Sequence, residues 1–142
     1  MIVGKLMTPK EKTAFVSPDT PLEEAVALMH KVKSSSVVIV DGGKAVGILT
    51  KSDLVRAAYI EKVDLSCAVS AVKEAGTLVI VDASESSSLA ATRMAERHIH
   101  HCIVVDDGVF AGILSSFDIA KDQAITNKCW PWNPEALDNL TL

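Results

Sequence analysis

The stretch KAVGILTKSDLVR, residues 44–56, returns as VFAGILSSFDIAK, residues 109–121, an offset of 65 residues. Carried backwards without a gap, the same offset pairs Asp41 with Asp106, Gly43 with Gly108, Met29 with Met94, Ala25 with Ala90 and Val16 with Val81. Self-similarity at one fixed offset means that a single supersecondary unit has been used twice, so the fold follows from reading that unit.

Working outward through the first copy, Thr13 to Val16 gives a short strand signal. It is closed by Ser17-Pro18-Asp19-Thr20-Pro21, whose prolines and short polar side chains favour a turn and a helix start. Leu22, Ala25, Val26, Met29 and Val32 then recur at helical spacing and predict one apolar stripe of an amphipathic helix. Val37 to Val40 is a β-branched strand run, Asp41-Gly42-Gly43 a hairpin turn, and Ala45 to Leu49 the next strand. Thr50 to Glu61 reads as a second helix with Leu54, Val55 and Ala58 inward. The second copy repeats the order: a strand over Thr77 to Val81, a helix near Ser88 to His98, strands over Cys102 to Val105 and Phe110 to Leu114, and a helix from Ser115. The fold class is therefore α/β, built from two tandem β-α-β-β-α units. The first occupies residues 1–61, a linker residues 62–76, the second unit residues 77–121, and residues 122–142 form an extension without a counterpart.

A chain of 142 residues, 49 % hydrophobic and 4 % aromatic, can bury a core of Val, Ile, Leu, Ala and Met. The formal charge of −4 comes without a basic block, so no general attraction to nucleic acid is expected. No apolar run approaches the roughly 20 residues that span a bilayer, and Met1 to Lys10 has no apolar leader segment. A soluble, cytoplasmic protein without a membrane partner is expected. Cys67, Cys102 and Cys129 are widely spaced and read as reduced thiols.

The sharpest motif is a glycine, two apolar residues, a hydroxyl and, three positions on, an aspartate. It stands as Gly47-Ile48-Leu49-Thr50-Lys51-Ser52-Asp53 and as Gly112-Ile113-Leu114-Ser115-Ser116-Phe117-Asp118. One reading is a capping box, in which the hydroxyl bonds the N3 amide and the acid reaches back. That reading does not by itself require the glycine, nor the same arrangement after a hairpin twice. The functional reading adds that amides at a helix start accept an anion and that a carboxylate beside them accepts hydrogen bonds from a ribose diol.

With this motif, the segments LMTPKEKTAFVSPDTPLEEAVALM, SSSVVIVDGGKAVGILTKSDL and MAERHIHHCIVVDDGVFAGILSSFDI make the chain, from about residue 6 to 121, resemble a pair of CBS domains, the repeat named after cystathionine β-synthase. The resemblance implies two repeats packed pseudosymmetrically through their sheets, with two clefts that hold adenosine compounds such as AMP, ATP or S-adenosylmethionine. It implies that the motif Asp binds ribose and that the preceding Thr or Ser faces phosphate. Carried over, one cleft uses Thr50, Ser52 and Asp53 with Val79 from the other copy. The second uses Ser115 and Asp118 with His100 and His101, and Ala14, Ser34, Ser35 and Ser36 from the first copy. A regulatory binding module follows, not an enzyme and with no catalytic cofactor, forming a homodimer and acting on a separate regulated protein. The alternative within the same fold is a ligand-free scaffold for dimerisation or partner docking.

Two departures from the family pattern stand out: Val38 and Ile103 where a proline is common, and Phe117 in place of Ser52, where a ring would stack on a ligand or block the cleft. His98-Ile99-His100-His101-Cys102 carries metal-binding residue types, but adjacent side chains on a strand point to opposite faces, and no metal site is expected. The tail Cys129-Trp130-Pro131-Trp132 is expected to pack on its own domain or a dimer mate, or to dock a partner.

Overall fold

The computed structural model describes residues 1–72 and 78–127; the tryptophan tail lies outside them. Each copy is built on one sheet. In the first, β2 (Phe15–Val16), β3 (Ser36–Asp41) and β4 (Lys44–Thr50) run in the order β2-β3-β4. In the second, β5 (Ile80–Asp82), β6 (His101–Asp106) and β7 (Val109–Ser115) repeat that arrangement, and β1 (Thr8–Pro9) joins the β7 edge to give β1-β7-β6-β5. The first pair is parallel and the second antiparallel in both sheets, with a register shift at Ile39/Val40 and again at Val104/Val105. Both hairpins turn on two residues of positive φ, Gly42 (58°) and Gly43 (81°), then Asp107 (53°) and Gly108 (79°). That is the type I′ signature, whose twist matches the flanking strands.

The helices between strands one and two are α2 (Leu22–Val32) and α5 (Ser87–Arg97). Leu22, Ala25 and Met29 are buried in α2, as Ala90 and Met94 are in α5. Val26 and Val32, expected in the inward stripe, are exposed, while Leu28, outside that stripe, packs against the core beside Met29. In α5 the Ser86 hydroxyl caps the helix by accepting the Leu89 amide at 3.2 Å, which fixes the start that the serine run left open. Lys33 and His98 end the two helices in the left-handed conformation, φ 55° and 53°.

After β4, α3 (Lys51–Val55) passes into a π turn over Arg56–Ile60, where Glu61 N–H donates to the Arg56 carbonyl at 2.9 Å. The wider turn shifts the helical phase. Ala57 is buried instead of the expected Val55 and Ala58, and Val55 is 54 % exposed. In the second copy α6 (Ser116–Asn127) continues past residue 121.

Short helices precede each copy, and each covers the other copy. Val3 of α1 (Val3–Leu6) is buried in the second core, where Val3 and Gly4 amides donate to the Glu85 and Ala83 carbonyls. Val69 and Val72 of α4 (Val69–Val72) are buried in the first core, and the Val69 amide donates to the Thr20 carbonyl. Residues 63–72, within the expected linker, thus supply core to the first unit.

A third core joins the sheets face to face, built from Val38, Ile103, Phe110 and Ile113 with Val40, Ala45, Ile48 and Val105 around them. Most of these are equivalent pairs under the duplication, so the units pack pseudosymmetrically through their sheets, as expected. At its centre are the two positions where the family often has proline. Val38 donates to the Ala14 carbonyl and Ile103 to the Val79 carbonyl, both at 2.9 Å, bonds that a proline could not make.

Candidate functional site

Both repeated motifs fold as helix caps at the junction of the two units. Asp53 Oδ2 accepts from the Thr50 amide at 2.8 Å and from the Thr50 hydroxyl at 3.0 Å, and the Asp53 amide donates back to Thr50 Oγ1 at 3.4 Å. Asp53 Oδ1 lies 3.8 Å from the Arg56 guanidinium. Asp118 Oδ2 accepts from the Ser115 amide at 2.8 Å, and the Asp118 amide donates to Ser115 Oγ at 3.1 Å. The capping box is therefore real in both copies, and it fixes both carboxylates at the walls of cavities.

The Asp53 cavity, about 530 Å³, is bounded on the first unit by Ile48, Thr50, Ser52 and Asp53. The second unit closes it with an apolar wall, Leu78, Val79, Ile99 and Ile103, and a basic rim, Arg97, His98, His100 and His101. The Asp118 cavity, about 240 Å³, takes Ile113, Ser115, Asp118 and His101 from the second unit. Across from them stand Lys12, Thr13, Lys33 and Ser34 to Ser36 of the first. The cavities are counterparts under the duplication: His98 replaces Lys33, Ile99 replaces Ser34 and His100 replaces Ser35. The Asp53 cavity is thereby the larger and more apolar of the two.

This arrangement corrects the expected pairing across copies. His100 borders the Asp53 cavity and not the Asp118 cavity, because the start of β6 lies opposite the first unit's cap, and its Nδ1 is 3.3 Å from Ser116 Oγ. His101 borders both, with Nε2 3.3 Å from Ser35 Oγ. Thr50, Ser52, Asp53 and Val79 come together as expected, as do Ser34, Ser35, Ser36, Ser115 and Asp118. Ala14 does not line the Asp118 cavity; its side chain is in the first core. Phe117 is 60 % exposed and borders neither cavity, so its ring does not close the Asp118 site. Arg97, Lys12 and Lys33 line the cavities without having been singled out in the sequence, and His98, read there only for its metal-binding type, lines the Asp53 cavity. The duplication carried part of that signal, since the helix-ending Lys33 and His98 are one offset apart.

Burial and the neighbouring His100 hold His101 below the ordinary imidazole range, against the opposing pull of Asp118. Burial pushes the Cys102 thiol up to about 11, which leaves it protonated and unreactive at neutral pH. Among the described residues no group of three His, Cys, Asp or Glu side chains could hold a metal ion, and no helix is long and apolar enough to cross a membrane.

Comparison with known proteins agrees with this fold. The family model described as CBS domain matches residues 3–60 and again 73–124. Inosine-5'-monophosphate dehydrogenase of Staphylococcus haemolyticus is 33 % identical over 110 residues, 75 % of this chain and 22 % of the dehydrogenase. An uncharacterized protein of Methanocaldococcus jannaschii is 40 % identical over 55 residues, 39 % of this chain and 26 % of that protein. The chain thus spans about a quarter of the length of these curated relatives. Among solved structures, CBSX2 in complex with AMP is 26 % identical with a TM-score of 0.74, covering 89 % of this chain and 98 % of that one. A CBS domain protein of Pyrobaculum aerophilum complexed with AMP shares the fold at a TM-score of 0.78 and 20 % identity, covering 90 % of this chain and 97 % of that one.

Proposed function

The chain belongs to the CBS domain family, and from that premise we propose that it is a regulatory module that binds an AMP-type adenine nucleotide between its two repeats. The observation that carries this reading is the Asp53 cavity. A carboxylate held by its own helix cap faces an apolar wall from the other unit, with the Arg97 guanidinium and three imidazoles around it. Ribose hydroxyls suit the carboxylate, adenine suits Leu78, Val79 and Ile99, and phosphate suits the basic rim. The AMP complex of CBSX2 supports the choice of ligand. ATP and S-adenosylmethionine share the adenosine part and are the competitors to be tested.

The larger volume and apolar wall favour the Asp53 cavity as the first to fill. The module acts without catalysis, as a cytoplasmic homodimer whose ligand-dependent rearrangement is read by a separate protein. A second reading, an unliganded scaffold, is favoured by one observation: both motif acids already serve as helix caps. Calorimetric titration with AMP, ATP and S-adenosylmethionine separates the two, with mass spectrometry of small molecules released from the purified protein. Saturable AMP binding is expected; no saturable heat with any of the three would leave only the scaffold.

A further inference from the structure

Within the duplication most cavity residues serve one site each, but His101 lines both cavities. Its counterpart Ser36, 2 % exposed, lines only the Asp118 cavity. Nε2 of His101 meets Ser35 Oγ of the first unit at 3.3 Å, which sets the ring at the boundary between the repeats. Imidazole is the side chain whose charge changes near neutral pH, so one titratable group stands between two anion-compatible sites.

We propose that His101 couples the two cavities through a single shared proton, so that an AMP phosphate in one cavity raises the affinity of the other. The inference rests on the reading that both cavities accept AMP. Buried beside His100, the ring is uncharged at neutral pH before ligand arrives. An AMP phosphate in either cavity favours the imidazolium, which takes its proton from solvent. The second AMP then meets a ring already charged, and linkage makes the effect reciprocal. The groups around the ring do not remove this asymmetry. His100, Arg97 and His98 stand with Asp53 at one cavity, and Lys12 and Lys33 with Asp118 at the other. Repulsion between the two phosphates opposes the coupling and does not depend on His101.

The test is AMP titration calorimetry on the full chain at pH 7.5 and pH 5.5, for wild type and His101→Gln. Independent sites, identical or not, never bind the second ligand more tightly than the first. At pH 7.5 the ratio of the second stepwise binding constant to the first is expected to be about fivefold or more higher in the wild type than in His101→Gln, the lower end of ordinary site coupling. At pH 5.5 the enhancement is expected to be smaller than at pH 7.5, because more of the ring is charged before ligand binds. His101→Gln is expected to lose the enhancement at both pH values, and the wild-type pH comparison decides the matter if that variant does not fold. Two independent wild-type sites, one AMP per chain, or coupling that survives in His101→Gln each overturn the proposal while leaving AMP binding intact. An absence of AMP binding by wild type overturns the ligand reading as well.

Discussion

Asp53 and Thr50 hold each other through three hydrogen bonds, two of them converging on the same carboxylate oxygen, Oδ2, at 2.8 and 3.0 Å. Cap and ligand carboxylate are thus one group, and the two roles separate by substitution. Asp53→Asn keeps an oxygen to accept the Thr50 amide but loses the negative charge. It is expected to melt within about 1 kcal/mol of wild type, the usual worth of a cap, and to lose roughly 10- to 150-fold in AMP affinity, the equivalent of about 1.5–3 kcal/mol. Asp53→Ala should lose both. AMP affinity measured beside the ligand-free melting temperature checks this, with Asp118→Asn as the matched change in the smaller cavity. Wild-type affinity in both Asn variants would remove the ribose assignment.

His101 also ties stability to pH. Its folded-state value is held down by burial, so between that value and about 6.5 the unfolded chain binds more protons than the folded one. The stability due to its neutral form is therefore fully present above about pH 6.5 and is lost as pH falls through the lowered value. Melting temperatures of the ligand-free protein should drop from pH 7.5 to 5.5, and His101→Gln should flatten part of that drop. Parallel curves for the two proteins would show that the ring is not held neutral by the fold.

The proposed homodimer has a physical test in the helical face that the fold leaves uncovered. Tyr59 is 78 % and Ile60 75 % exposed, close to Val55 on the turn that follows α3. Exposed apolar side chains clustered in this way mark a contact surface, and a stable interface usually buries about 1,200–2,000 Å² in total. Light scattering at micromolar concentration should give a dimer mass, and the double change Val55→Glu with Tyr59→Glu should give a monomer with unchanged AMP binding. A wild-type monomer at that concentration contradicts the assignment.

The duplication made most of this legible, because a 65-residue offset carries strands, hairpins and caps from one copy to the other. What it did not carry was the exchange of short helices. Val3 and Val69 stand 66 residues apart, outside the ungapped register, and the cores they complete belong to the opposite copies. The assignment of His100 failed for a related reason: sequence order says which copy owns a residue, but the cavity it meets is set by how the two sheets pack. Leu54 packs against the first core as expected, but Ala57 and not Ala58 is buried beyond it, because the π turn over Arg56–Ile60 changes the helical phase and leaves no mark in the apolar pattern.

The motif glycines illustrate both sides of that lesson, since Gly47 and Gly112 are equivalent in sequence but not in surroundings. At Gly112 a Cβ would collide with the Thr8 carbonyl oxygen and crowd the Pro9 Cα at 3.2 Å, because β1 lies directly across β7 there, paired through Pro9 and Gly112. Backbone that is hydrogen-bonded into a sheet cannot move aside cheaply. At Gly47 the nearest atom to a Cβ is the Ile39 Cδ1, at 3.2 Å, the end of a side chain that can change rotamer. Neither glycine has positive φ, so alanine is judged on space alone. Gly112→Ala should therefore destabilise by about 1–3 kcal/mol, the range for overpacking, and Gly47→Ala by less than about 1 kcal/mol. Urea unfolding of the two variants beside wild type measures the difference. Equal losses at both positions would mean that the glycine serves the hairpin and its cap, and that the close approach of β1 is not what requires it.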